Sequence, residues 1–218
     1  MIDLSGKKAV VAGSEGLLGK AICALLNQRG AAVAQIDKKS GDSLCSDIST
    51  PWGWKSVKKH EPDIFVNASY PPVRSLEHFR AFIDGTANIS AAMKRWGGGA
   101  IVNLASIYAL VGPADAMYKG TDMGLPAEYA AVKGAIVAHS RCLAVRYAKD
   151  GIRINTVAAG GVFNNQDEKF VQRYCDRTPM GRMATPEEIA KVVVFLASDW
   201  AAYITGQCIT VDGGYTAW

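Results

Sequence analysis

The chain has 218 residues, 49% of them hydrophobic and 20% charged, enough apolar sequence for one soluble globular domain with a substantial core. Its formal charge of +4 is dispersed over short knots (Lys7–Lys8, Lys38–Lys39, Lys55 with Lys58–Lys59), and no basic helix or arginine-rich arm marks a nucleic-acid partner. Five cysteines (Cys23, Cys45, Cys142, Cys175, Cys208) are odd in number, include no Cys-x-x-Cys pair and stand apart from the three histidines. Free thiols in a reducing cytoplasm are therefore expected, without a disulfide framework or a metal site. The opening MIDLSGKKAVVAG lacks a signal-peptide pattern, and no apolar run reaches membrane-spanning length, so no membrane partner is expected.

In chain order, Lys8–Ala12 (KAVVA) reads as a buried strand and Leu18–Arg29 as a helix with one apolar stripe. Ala32–Ile36 is a second strand ending at Asp37; Asp63–Asn67, Ala100–Leu104, Arg153–Val157 and Cys208–Val211 continue the series. Helices are predicted near 75–95, 126–149 and 186–198. The last opens on Thr185-Pro186-Glu187-Glu188: a capping residue, proline at the first helical position, and acids in the first turn. Buried strands alternating with helices imply an α/β fold, a doubly wound parallel sheet covered on both faces. With no linker or internal repeat, residues 1–218 are read as a single domain.

The first strand runs directly into Gly13-Ser14-Glu15-Gly16-Leu17-Leu18-Gly19 and a helix. Gly13 permits the tight turn, Gly16 lets backbone approach a pyrophosphate, and Gly19 lets helix pack on strand. The helix N-terminus offers N–H donors to phosphate. Eighteen residues after Gly19, Asp37 ends the second strand, where a carboxylate accepts hydrogen bonds from ribose hydroxyls and repels a 2′-phosphate. That favours NAD(H) over NADP(H), with Lys38-Lys39 as the counter-signal, a place for the phosphate if Asp37 turns away. Further along, PAEYAAVKG places Tyr129 and Lys133 on one helical face. In isolation the pair reads equally as a buried aromatic beside a snorkelling lysine stem.

Together these features resemble the short-chain dehydrogenase/reductase family over nearly the whole chain. The resemblance implies a Rossmann-type fold, with Tyr129 and Lys133 as the active-site tyrosine and lysine and Ser106, after IVNLAS, as the serine. It also places Asp47-Ile48 on the adenine side and Asn67-Ala68-Ser69 where the family carries Asn-Asn-Ala-Gly. Asn155 through Val162, including Gly160, falls on the nicotinamide side, with Ala159 in place of proline. It further implies proton transfer by Tyr129, phenolate stabilisation and ribose binding by Lys133, and carbonyl polarisation by Ser106. A homodimer or homotetramer is implied through two long helices and the C-terminal strand.

The pattern also departs from the family. Only ten residues separate Asp37 from Asp47, and the helices between strands 2 and 4 look shortened. The family's fourth catalytic group, an asparagine, has no secure position: Asn88, Thr86 and His78 each follow from a different register. Conversely, 23 residues separate Ser106 from Tyr129, an added loop whose Tyr108, Asp115, Tyr118 and Met123 are candidates for substrate selection. Motifs such as NASYPP, GGVFNNQ and VDGGYTAW resemble oxidoreductases of flagellin-glycan and legionaminic-acid-type pathways, which implies a sugar or sugar-nucleotide substrate. Asn164, Asn165 and Gln166 suit such a pocket, or merely cap a helix. Rival readings are an NADPH-dependent 3-oxoacyl thioester reductase and a non-catalytic dinucleotide-binding scaffold.

Overall fold

The computed structural model describes residues 1–37, 51–69 and 76–218. Six strands are present among them: β1 (Lys8–Ala12), β2 (Ala32–Ile36), β3 (Ile64–Asn67), β4 (Gly99–Ser106), β5 (Ile152–Ala159) and β6 (Cys208–Val211). All pair in parallel, in the order β2-β1-β3-β4-β5-β6. The helices are α1 (Leu17–Gln28), α2 (Pro51–Lys59), α3 (Leu76–Met93), α4 (Ala127–Tyr147), α5 (Glu168–Arg177) and α6 (Pro186–Ala197). The chain winds outward from β1 to β2, then returns past β1 to β3 and continues in the opposite direction. Parallel crossovers keep one hand, so this reversal puts helices on both faces and opens a crevice between β1 and β3.

Alternation along each strand divides the core. Ala9, Val11, Ile64, Val66, Val102, Leu104 and Val157 pack with Ile22 and Leu26 of α1 and Ile189, Val193 and Val194 of α6. Val10, Ala12, Phe65, Ile101, Ile152 and Ile154 point the other way, onto Val57 of α2, Ile89 and Met93 of α3 and Leu143 of α4. Each buried Val, Leu, Ile, Phe or Met among them contributes roughly 1.5–3 kcal/mol. Both layers are continuous, so the strands read as apolar runs rather than as alternating patterns.

α2 has nine residues, the shortened helix expected there, and α3 runs for 18. α6 begins as its sequence dictates: Thr185 Oγ1 accepts from the Glu188 N–H while Glu188 Oε2 accepts from the Thr185 N–H, with Pro186 in the first turn. α5 was not among the predicted helices. Asp167 caps it through the Lys169 and Phe170 N–H groups, and its polar sequence, EKFVQRYCDR, buries only Phe170 and Tyr174. The four described cysteines are free, and Cys45 lies outside the described residues.

The join between β1 and α1 is the tightest point of the sheet's edge. Gly13 adopts φ +79°, and a Cβ there would stand 2.6 Å from the Ala68 carbonyl oxygen; a Cβ on Gly19 would run into the Gly13 carbonyl. A Gly19→Ala variant is expected to lose about 1–3 kcal/mol of stability through this overpacking, read as a lower urea midpoint at unchanged slope.

Candidate active site

The carboxyl ends of β1, β3, β4 and β5 bring the sequence candidates to one edge of the sheet. At β1 the turn starts with Gly13 and Ser14, whose N–H groups donate to the Ile36 carbonyl at 2.8 and 3.4 Å. Gly16 caps α1 with no side-chain hydrogen bond, and no acid occupies the first turn, so the helix's leading N–H groups stay open to an anion. Leu17 is exposed, Leu18 packs partly into the core, and the Ser14 hydroxyl is buried without a hydrogen-bond partner. Asp37 reaches back to this turn: its Oδ2 accepts the Glu15 N–H at 3.0 Å, placing a buried carboxylate beside the glycine segment. Asp47 and Ile48, together with Lys38 and Lys39, lie outside the described residues.

At the end of β3, Asn67 is fully buried and organises the following residues. Its Oδ1 accepts from the Ser69 N–H and hydroxyl at 3.3 and 2.6 Å, and its Nδ2 donates to Thr86 Oγ1 at 3.5 Å. The Ala68 N–H is held by the Ala12 carbonyl. Asn67 stands in register with Asn103, and Asn103 with Thr156, forming a polar row on the sheet face that α3 and α4 cover. Asn103 Nδ2 donates to Ser140 Oγ at 2.9 Å, while Asn103 Oδ1 and Thr156 Oγ1 are buried without partners. Of the positions considered for a fourth catalytic group, Thr86 is buried against Asn67 and Asn88 is exposed; the His78 side chain is outside the description.

Ser106 ends β4 and caps the 3-10 turn Ile107–Ala109. Its Oγ accepts the Tyr108 N–H at 3.2 Å, which leaves the hydroxyl hydrogen to donate elsewhere. That turn and β4 both pack on α4, which carries Tyr129 and Lys133 one turn apart. Lys133 does not snorkel. Only 5% exposed, it donates from Nζ to the Leu104 carbonyl at 3.2 Å and lies 5.7 Å from the centre of the Tyr129 ring. Burial pulls its pKa down to about 8.

At the end of β5, the Gly160 N–H is taken by the Val211 carbonyl and the Gly161 N–H by the Tyr174 hydroxyl. Among the described residues the Val162 N–H has no acceptor. The added loop folds over this end. Tyr108 and Tyr118 share a hydrogen bond at 3.2 Å between their hydroxyls, Tyr118 stacks on Phe170 at 5.4 Å, and Met123 joins the same cluster. Asp115 lies instead in a second 3-10 turn, on the rim of an open cleft with Tyr118 and Lys119. Asn164–Gln166 turns on itself: Gln166 accepts the Asn164 N–H and donates to the Val162 carbonyl, and Asn165 is left-handed at φ +55°. No side chain on α5 was foreseen from the sequence, although Asp167 followed by Glu168 in the first turn was a usable start signal.

Among the described residues, no group of His, Cys, Asp and Glu side chains is arranged to hold a metal, and no helix is long and apolar enough to cross a membrane. The unguarded α1 terminus, the glycine turn beneath it and the Val162 N–H instead fit a dinucleotide laid across the crevice from β1 to β5.

Comparison with known proteins agrees with that geometry. Residues 78–216 match the family described as Enoyl-(Acyl carrier protein) reductase. Over its whole length the chain is 31% identical to the whole of 2,5-dichloro-2,5-cyclohexadiene-1,4-diol dehydrogenase from Sphingobium indicum. Post-translational flagellin modification protein A of Campylobacter coli is 30% identical, with 97% of this chain and 99% of that protein aligned. A short-chain dehydrogenase of Leptospira borgpetersenii, solved with bound NAD+, matches with a TM-score of 0.84 at 28% identity, covering 98% of this chain and 94% of that one. A Beutenbergia cavernae structure with NADP at low occupancy gives 0.81 at 30% identity, covering 99% of each chain. The chain belongs to the short-chain dehydrogenase/reductase family. It is an NAD(P)-dependent oxidoreductase acting on alcohol and ketone groups.

The buried Lys133 makes a prediction of definite sign. Its folded pKa of about 8 lies below the ordinary 10.5, so the cost of burying its charge is fully present below pH 8 and is relieved as pH rises toward 10.5. A Lys133→Met variant is expected to be more stable than wild type at pH 7, with the difference shrinking between pH 8 and 10.5. Urea midpoints of both proteins across that range check it, and a pH-independent difference would refute it.

Proposed function

We propose that the chain transfers a hydride between NAD(H) and a secondary alcohol or ketone on a hydroxylated ring, in the class of sugars and sugar nucleotides. The observation that carries the reading is the alignment of Ser106, Tyr129 and buried Lys133 along α4 and the end of β4, next to the Gly160–Val162 turn. In the reducing direction Tyr129 donates its phenolic proton to the carbonyl oxygen, which becomes the alcohol. Ser106 donates a hydrogen bond to that oxygen, and the Lys133 ammonium stabilises the phenolate left on Tyr129. A free tyrosine titrates near pH 10; a cation one helical turn away brings it toward working pH. The nicotinamide, when bound, supplies the hydride donor or acceptor. Gly13–Gly19 and Asp37 would hold the adenosine and pyrophosphate, with Asp47-Ile48 at the adenine and Asn67-Ala68-Ser69 lining the crevice. Lys133 would hold the nicotinamide ribose and Gly160 and Val162 the carboxamide end.

NAD(H) is favoured over NADP(H) because the buried Asp37 carboxylate already faces the glycine turn. The ring substrate is supported by the half-buried Tyr108 and Tyr118 of the added loop, whose paired hydroxyls place hydrogen-bonding groups beside aromatic rings. The cyclohexadiene-diol dehydrogenase is named for a hydroxylated ring. We also propose a cytoplasmic homo-oligomer: β6 is an edge strand, with Trp200, Tyr203 and Trp218 exposed nearby in the chain. A second reading, reduction of an acyl thioester with NADPH, draws on the family's description alone.

Titration with NADH and NADPH, followed by energy transfer from the five tryptophans, is the direct test. NADH is expected to bind at least about tenfold tighter, a difference on the order of 1.4 kcal/mol. Preference for NADPH would promote the thioester reading, and binding of neither would remove the enzyme reading. Tyr129→Phe is expected to lower turnover at least about a hundredfold while NADH affinity is kept. Unchanged turnover in that variant would assign the chemistry elsewhere.

A further inference from the structure

Ala159-Gly160-Gly161-Val162 leaves β5 with no bulky side chain of its own to stiffen it before Val162. Two contacts hold that turn: Ala184 brackets Val162, its N–H donating to the Gly161 carbonyl at 2.9 Å and its carbonyl accepting the Phe163 N–H at 3.0 Å, and α5 holds the Gly161 N–H. Tyr174, 2% exposed, accepts the Gly161 N–H on its hydroxyl at 2.5 Å. The fit is tight enough to explain the glycine: a Cβ on Gly161 would stand 2.6 Å from the Tyr174 ring and 2.8 Å from the Met183 methyl. Behind it, the Tyr174 ring stacks on Tyr215 at 4.7 Å, so the C-terminal segment backs the hydroxyl against the turn.

The adjacent residue points to a different partner. Arg173 Nη1 donates to the Lys119 carbonyl at 2.6 Å and to the Met117 carbonyl at 3.3 Å, both in the loop added between Ser106 and Tyr129. One turn earlier, Phe170 stacks on Tyr118 of that loop. A single ten-residue helix therefore grips the end of β5 with one side chain and the loop over the substrate region with two others. Backbone carbonyls as acceptors make the Arg173 tether independent of the loop's side chains.

We propose that α5 is a clasp: Tyr174 positions the Gly160–Val162 turn for the nicotinamide end of the cofactor, and Arg173 ties the 107–125 loop to the same helix, so that substrate loop and cofactor seat are set together. This rests on the NAD(H) reading above and adds two positioning residues to it, neither of which touches the reacting atoms. Because the clasp acts at the nicotinamide end alone, ADP-ribose, which lacks the nicotinamide, separates its effect from the rest of the site.

The experiment measures affinity for NADH and for ADP-ribose in wild type, Tyr174→Phe, Arg173→Met and Arg173→Lys, together with hydrogen exchange of residues 107–125. Tyr174→Phe is expected to weaken NADH about fivefold to tenfold, the scale of one hydrogen bond, and to leave ADP-ribose unchanged. Arg173→Met is expected to weaken NADH, speed exchange across 107–125 and spare ADP-ribose, with Arg173→Lys restoring part of both effects. If both ligands weaken equally, the residues are merely structural and the clasp is overturned. Variants that bind NADH like wild type overturn it as well. A wild type that binds neither ligand would sink the dinucleotide reading, and the clasp with it.

Discussion

Eight residues of β4 run in register with eight of β5, from Gly99 opposite Ile152 to Ser106 opposite Ala159, and the site depends on that ladder. A slip of one residue would send Val102, Leu104 and Val157 to the wrong helices and drive Ile101 and Ile154 into the space they left. Both faces are buried, so both forbid the slip. Ser106 is thereby fixed one residue away from the glycine pair that begins at Gly160. The placement of Ser106 is inherited from core packing.

Polarity inside the sheet rises toward the site. The lower rungs of β3 and β4 are apolar on both faces, whereas Asn67, Asn103 and Thr156 form one lateral row near the top, with Lys133 buried close to Leu104. Each unpaired buried polar atom costs roughly 1–3 kcal/mol. The Asn103 and Thr156 oxygens are two such atoms. The apolar layers below it are extensive, and Asn103 ties the row to α4 at Ser140.

The sequence was most readable where a single local rule decides the outcome. Buried aliphatic runs fixed the strands to within a few residues, Thr185-Pro186-Glu187-Glu188 fixed the start of α6, and the glycine spacing fixed the first turn. Tyr129 and Lys133 were visible as a pair, but the inward course of Lys133 was not, since a lysine stem fits a snorkelling and a buried role equally well. α5 was missed although Phe170, Val171, Tyr174 and Cys175 recur at helical spacing, because the segment is short and its other six residues are polar. Tyr174 could not be read from its surroundings in sequence: its partner, Gly161, is 13 residues away, and the two meet only because α5 packs back over β5. For Gln166 the sequence left a ligand-binding and a local role open, and the structure shows it used by its own turn.

The strand order has a consequence for how the chain acquires this structure. Every neighbouring pair is parallel, so none can close by a hairpin, and each pairing waits for a whole crossover to be synthesised and wound. Such long-range contacts are slow to form. During synthesis β1 can meet β2 and β3 early, yet β4 keeps a bare hydrogen-bonding edge until β5 appears nearly fifty residues later. The nascent chain thus carries an unpaired, strongly apolar strand through the interval in which Tyr129 and Lys133 are made. Until β5 covers it, that edge is a template for wrong pairing.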